Sequence, residues 1–440
     1  MASRDYFKGK RIAVIGLGPN AEMITDIKYL IKSGAFVALY DLRSEARIKN
    51  HIIFLRSIGL ANYICGSVPE DDLVDMDMIV LSHEYPRDSS FLRTAKKHNI
   101  AIEYPETLFF KISPPLILVG IIGVYGKSTV LSMLKPMLEQ TCEEKGEQNV
   151  YTIDPESSGG IISHLKTAKN GDIVIARITE EMATEFTKIR ISPHVAIFTS
   201  ILSKPFYDES PFEILNYQTY NNYIVAPDDV VDKTYTYKFQ AKAKMLRTKP
   251  GIVDEHTSPF IKNSHDIDNA ALVIQAARLF HVEEETISHV LEEWKSLKGR
   301  IEFVKKVKGV DFYNDSASIS NYSTEIALKT LSEGDKKIVL IFGGMDRGYD
   351  YRALYSILPK YISHIILLPG SGTIKERKLL QEMTDVTVLS APSVEEAVRL
   401  SYENANKNSI VLFSPGFAAG GMDSNRKDRG ERFMRAVRTL

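Results

Sequence analysis

The chain has 440 residues, 44 % hydrophobic and 25 % charged, with a net charge of −1. That is enough for about two to four domains with sizeable cores, without the charge excess of a nucleic-acid-binding protein or a disordered acidic tail. Two cysteines, Cys65 and Cys142, exclude a disulfide framework and fit a reducing compartment. No apolar run reaches the length of a membrane span, and the opening residues carry no apolar signal region, so a soluble cytoplasmic protein is expected.

Residues 1–113 read as a first α/β block. Runs 11–16, 36–41, 78–82 and 100–103 are short and β-rich, with helix-length segments between them. That alternation predicts a parallel sheet. Gly16-Leu-Gly18-Pro-Asn-Ala21 leaves the first run, and Asp41 ends the second. The pattern fits a diphosphate on a helix N-terminus with Asp41 near a ribose or base. It fits equally a plain Rossmann-like turn that binds no dinucleotide. Ile112-Ser-Pro-Pro115 marks the first boundary.

Residues 114–298 form the second block. The run Leu116 to Val119 leads into Gly120-Ile-Ile-Gly-Val-Tyr-Gly-Lys-Ser-Thr129, followed by Val130, Leu131, Leu134, Met137 and Leu138 at helical spacing. A strand, a glycine turn and a helix N-terminus make a phosphate cradle, because turn amides and helix dipole both face the anion. Lys127 would add a point charge, and Ser128 or Thr129 an oxygen for Mg²⁺. Pro136 should kink or shorten the helix. Further strands are expected over 172–178 and 194–199, and a helix around 267–280; 203–265 carries weak periodicity. His265-Asp-Ile-Asp-Asn269 opens that helix, where Asn269 could bind a base or Asp266 or Asp268 could serve as a cap.

Residues 299–440 form the third block, with strands expected over 310–313, 337–342, 364–368, 386–389 and 410–413. Helical segments between them predict another doubly wound unit. Arg300 could neutralise a transferring phosphoryl group. Asp315 sits at a strand end, where α/β proteins make ligand contacts. Gly343-Gly-Met-Asp-Arg-Gly348 offers Arg347 to a substrate carboxylate, or leaves it as a solvated arginine in a glycine turn.

Taken in order, these pieces resemble the Mur ligases over nearly the whole chain. The matching elements are Lys10 to Gly18, Ser33 to Arg43, Gly123 to Thr129, His265 with Asn269, Arg300-Ile-Glu302, Asn314-Asp-Ser316, Ser323-Thr-Glu325, Gly343-Gly344 with Asp346-Arg-Gly348, Ser414-Pro415 and Asp428-Arg-Gly-Glu431. The resemblance implies three α/β domains, each on a mainly parallel sheet: Rossmann-like, P-loop ATPase-like and Rossmann-like. It implies ATP and Mg²⁺ as cofactors, and UDP-N-acetylmuramoyl-L-alanine and D-glutamate as small-molecule substrates of a monomer in peptidoglycan precursor synthesis. ATP would phosphorylate the substrate carboxylate, and the amine would attack the acyl phosphate. Gly123, Val124, Tyr125, Gly126, Lys127, Ser128, Thr129, Asn269, Arg300 and Asp315 would then hold ATP, with Asn269 on adenine and Asp315 on ribose. Lys127 and Arg300 would be catalytic. Gly18, Asp41, Arg43 and His265 would serve the UDP substrate, Arg347 the amino acid, and Thr129 with Glu180 the metal.

The sequence departs from the family at several of these positions. Val124 and Tyr125 replace a polar pair in the loop. Arg177 aligns with a metal-binding glutamate, Pro205 with a metal-binding histidine, and Asn221 with the carbamoylated lysine. Ala317 and Ile319 replace the lysine and threonine of the motif beginning at Asp315, and Ala419 and Arg426 alter the D-glutamate pocket. Besides the active ligase, the readings are a non-catalytic relative that binds nucleotide, a ligase for another amino acid, and an NAD-dependent oxidoreductase drawn from Gly16 to Asp41.

Overall fold

The computed structural model describes residues 2–18, 21–83, 85, 89–146, 148–154, 159–201, 211–253, 261, 264–332, 337–420 and 426–440. The chain divides into two compact units, Met1–Glu255 with Asp268–Leu291, and His256–Ile267 with Glu292–Leu440.

The first unit holds two parallel sheets. Strands β1 (Arg11–Ile15), β2 (Phe36–Asp41), β3 (Asn62–Cys65), β4 (Met78–Leu81) and β5 (Ala101–Glu103) lie in the order β3-β2-β1-β4-β5. Strands β6 (Ile117–Ile122), β7 (Val150–Ile153), β8 (Ile173–Arg177), β9 (Val195–Phe198), β10 (Tyr223–Pro227) and β11 (Lys244–Thr248) lie in the order β11-β10-β9-β6-β8-β7. The central strands are continuous Val/Ile/Leu runs because both faces are covered. One hydrophobic cluster runs through both sheets, joining Ile12, Val14 and Leu30 to Leu118, Ile162 and Phe186.

The second unit carries β12 (Glu302–Val307), β13 (Val310–Asn314), β14 (Ile338–Phe342), β15 (Ile362–Leu367), β16 (Thr387–Ser390) and β17 (Ile410–Phe413) in the order β12-β13-β17-β14-β15-β16. All neighbours are parallel except β12 and β13. Separate clusters cover the two faces, one around Leu340 and Tyr351, the other around Ile341 and Phe433.

The expected strands are present to within three residues at each end. Five were not foreseen: β3, β7, β10, β11 and the antiparallel β12. β3, β11 and β12 carry polar or charged residues on exposed or half-exposed positions, which dilutes their pattern. Pro136 does not shorten its helix, which runs from Lys127 to Lys145. A mid-helix proline costs about 3 kcal/mol. Val130, Leu131, Leu134, Met137 and Leu138 are all buried, and each such side chain contributes about 1.5–3 kcal/mol, which outweighs that cost.

Candidate active site

The phosphate loop leaves the C-terminal end of β6. Gly123 (φ 145°) and Gly126 (φ 85°) both take left-handed backbone. A Cβ on Gly123 would collide with the Thr199 hydroxyl and lie 2.9 Å from the Ser200 backbone nitrogen. One on Gly126 would lie 2.5 Å from Asn269 Oδ1. Only glycine fits either place. Gly126 is the N-cap of the helix Lys127–Lys145 and supplies no side-chain cap, so the first-turn amides keep their anion-binding character. Lys127 Nζ donates to Gly123 O. Asn269 is buried with its amide oxygen against Gly126, so it packs beneath the loop.

The loop is also braced from β9. Ser200 Oγ accepts from the amides of Val124 (3.0 Å) and Tyr125 (3.2 Å), and Thr199 Oγ1 donates to Tyr125 O. This corrects the expectation that the turn amides face an anion. Two of them, those of Val124 and Tyr125, are held by a serine hydroxyl.

On the other side of β6, the parallel register sets Ile121 opposite Arg177 at the end of β8. Arg177 is buried. Its Nη1 donates to Ser128 Oγ at 2.9 Å, and its Nε to Asp154 Oδ1 at 2.7 Å. Thr129 is buried, while Glu180 is exposed in the first turn of the helix Glu180–Lys188. Among the described residues, no group of three or more His, Cys, Asp or Glu could hold a metal ion. The Ser128 hydroxyl does not fit a resident Mg²⁺, because a guanidinium stands on it, and Thr129 with the exposed Glu180 forms no carboxylate cluster among the described residues. Pro205 lies outside the described residues. Asn221 is exposed in the turn before β10.

The glycine loop after β1 is organised differently. Asp41 is fully buried. Its carboxylate accepts from the amides of Leu17 (3.2 Å) and Arg43 (2.9 Å) and from Arg43 Nε (2.8 Å) and Nη2 (2.6 Å). Burial alone would raise its pKa, but the Arg43 side-chain and backbone hydrogen bonds outweigh burial and hold it below the usual range. Arg43 Nη1 also donates to Gly18 O at 3.2 Å. Asp41 thus clamps the loop from inside, and Arg43, partly exposed, is the residue at its surface.

Sequence reasoning did not find Asp26, on the helix Met23–Lys32. It is fully buried; Oδ1 accepts from the Ser163 amide at 2.9 Å, and Oδ2 has no partner among the described residues. Burial pushes its carboxyl from 3.8 up to about 8. Nothing in a helical Asp flanked by Thr and Ile signals this, because Ser163 is distant in sequence.

In the second unit, Asp315 is buried at the end of β13. It accepts from the Ile301 amide (3.2 Å) and from the hydroxyls of Ser318 and Ser414 (2.8 Å for Ser414). Burial lifts its pKa to about 6 against the pull of these bonds and of Arg300. Ile301 sits at φ 46°, a conformation that costs a β-branched residue about 1–3 kcal/mol. The Asp315 bond holds that strained turn, and with it the backbone carrying Arg300. His265 is pushed down to about 4, by burial first and then by Arg300, so its imidazole is neutral at pH 7. Arg347 is exposed on the loop after β14. A cavity of about 120 Å³ at the ends of β14 and β15 is lined by Gly343, Gly344, Gly370, Ala418 and Arg429; Arg347 is not among its walls.

The model of the family described as "Mur ligase, glutamate ligase domain" matches residues 299–417. The UDP-N-acetylmuramoylalanine–D-glutamate ligase of Clostridioides difficile (strain 630) is 26 % identical over 463 aligned positions, covering 98 % of this chain and 99 % of that protein. The protein of the same name from Caldanaerobacter subterraneus subsp. tengcongensis is 27 % identical, with the same coverage. Among solved structures, the UDP-N-acetylmuramate-alanine ligase MurC of Thermotoga maritima aligns with a TM-score of 0.61 at 14 % identity, over 98 % of this chain and 99 % of that one. The MurF ligase of the same organism, in complex with ADP, gives 0.55 at 16 %, over 100 % and 97 %. With three α/β sheets and a Gly-x-x-Gly-Lys-Ser-Thr loop opening the helix after β6, the chain is similar from end to end to ligases of the Mur type, and residues 299–417 match their glutamate ligase domain.

Proposed function

We propose that the protein is an ATP-dependent ligase of cytoplasmic peptidoglycan precursor synthesis, joining D-glutamate to UDP-N-acetylmuramoyl-L-alanine. The observation that carries the reading is the loop Gly123 to Thr129, with Lys127 at an uncapped helix start, in a chain matched end to end by ligases of that name. The γ-phosphoryl of ATP passes to the substrate carboxylate. The amine of D-glutamate attacks the resulting acyl phosphate, and phosphate leaves as the amide forms. The protein neutralises charge and aligns the reactants.

In this reading, residues 1–113 bind the UDP substrate, 114–298 ATP and 299–440 the amino acid. Lys127 and Arg300 meet phosphoryl charge, Asn269 serves the nucleotide side of the loop, and Arg43 with His265 and Gly18 serve the UDP substrate. Asp41 and Asp315 act through the loops they hold. The Mg²⁺ expected with ATP is given no protein site here, because Ser128 is engaged by Arg177.

Phosphate release measured with ATP, UDP-N-acetylmuramoyl-L-alanine and a panel of D-amino acids tests the proposal. Release should require all three components and be fastest with D-glutamate. No release with any amino acid would sink the amide-forming reading. A ligase for a different amino acid is the second reading, favoured by the exposed Arg347 standing apart from the cavity lined by Ala418 and Arg429. Faster release with another member of the panel would select it.

A further inference from the structure

We infer that Arg177 stands in for a divalent cation at the phosphate loop, so that this chain grips the phosphates of its nucleotide without Mg²⁺. The inference rests on the nucleotide reading of the loop and specifies how its charge is balanced.

The hydroxyl after the loop lysine is the group that such loops offer to the metal. Here that hydroxyl, Ser128 Oγ, accepts a 2.9 Å hydrogen bond from Arg177 Nη1. Arginine carries its charge at every working pH, so the position next to Ser128 is permanently cationic. A divalent ion placed there would have to displace the guanidinium from Ser128 Oγ and break the geometry that Asp154 holds, and it would meet the repulsion that Asp154 leaves uncompensated.

The geometry is built rather than incidental. Arg177 extends from the end of β8, next to β6, which carries the loop. Its Nε and Nη2 both lie 2.7 Å from Asp154 Oδ1, just past the end of β7. Asp154 therefore takes one edge of the guanidinium and turns the Nη1 edge toward Ser128. Three adjacent strand ends thus supply the loop, the cation and the residue that aims it. The side chain is buried, so this orientation is fixed by packing as well as by hydrogen bonds.

Charge type also fits the ligand. A planar guanidinium matches phosphate oxygens well and is more weakly hydrated than an ammonium. Lys127, in the first turn of the same helix, supplies the net positive charge at the helix N-terminus, while Arg177, ion-paired with Asp154, contributes a directed N–H donor through Nη1. The carboxylate cluster that would hold a metal is missing among the described residues.

The test is calorimetric titration of ADP and ATP into the full-length chain, once in excess magnesium chloride and once in EDTA. The two Kd values for ADP should agree within about threefold. In Arg177→Glu, metal-free ADP binding should weaken at least about tenfold, and magnesium should restore part of the loss. Arg177→Lys keeps the charge, so it should remain indifferent to magnesium even if its affinity drops. Should Arg177→Glu fail to fold, the wild type and the lysine variant still decide the matter. If magnesium tightens ADP binding to the wild type about tenfold or more, the inference falls while the nucleotide reading stands. If ADP and ATP bind under neither condition, both fall together.

Discussion

The two glycine loops of the first unit leave corresponding places, the ends of β1 and β6, yet they rest on opposite charges. Beneath the first lies Asp41, an anion the protein supplies itself, already bonded to the Leu17 amide and to Arg43. Beside the second lie Lys127 and Arg177, with the first helical turn uncapped. The first loop has its counter-charge built in and is a structural clamp that exposes Arg43. The second carries Lys127 as its net positive charge, with Arg177 held by Asp154, and in the proposed function it takes an anion from outside. A glycine turn at a strand end is therefore an open frame, and the sign of the charge packed under it decides its use.

The sharpest way to break this contrast is Asp41→Ala. If Asp41 is a structural clamp, removing it leaves Arg43 and the Leu17 amide without their acceptor and should cost about 3 kcal/mol of stability in denaturant unfolding, whether or not UDP substrate is present. A loss confined to substrate affinity would instead make Asp41 a ligand contact. Lys127→Ala should leave the melting temperature within a few degrees and weaken ATP binding at least about thirtyfold, or roughly 2 kcal/mol. Unchanged affinity in that variant would remove the phosphate loop from the site.

A third test uses pH. Folded Asp26 titrates near 8, against 3.8 for an ordinary aspartate, so the native state keeps a proton that the unfolded chain gives up. The stability contributed by this group is full below about pH 4 and is lost as pH rises through about 8. Asp26→Asn should flatten that decline and exceed the parent at pH 8 by about 1 kcal/mol or more; parallel pH profiles of the two proteins would count against it. The smallest effect is expected for Ser200→Ala. It releases the Val124 and Tyr125 amides and should cost about 0.5–1 kcal/mol of stability, while ADP affinity changes by less than about threefold or rises. A loss of more than tenfold would mean that Ser200 touches the nucleotide.

Much of the architecture was legible because buried parallel strands are written as unbroken Val/Ile/Leu runs. Strands β1, β6 and β14 could be read directly. The edge strands β3, β11 and β12 were not, since their partly exposed positions admit Asn, Lys or Arg and break the apolar run. The loop was legible from its glycine spacing, the Lys-Ser-Thr that closes it, the apolar run before it and the helical spacing after it. Its surroundings were not, because they depend on register. Arg177 could be seen to stand where an acid was expected, but only the pairing of β8 with β6 aims it at Ser128. Ser200 gave no signal as a brace, because the hydroxyl of a serine just past a strand is an ordinary loop feature in one dimension. Asp41 was singled out by its place at a strand end, but its bonds to Arg43 and to the Leu17 amide were not legible.

The single hydrophobic cluster threaded through the first two sheets has a consequence for how ligands are felt. Two layers that share one interior should melt in one cooperative step. Nucleotide bound at the loop Gly123 to Thr129, as proposed, would then slow hydrogen exchange at the amides of β1 and β2, in a sheet that does not carry that loop. A fragment ending at residue 113 would expose the apolar face of Leu30 and Phe109 and should aggregate rather than stand alone.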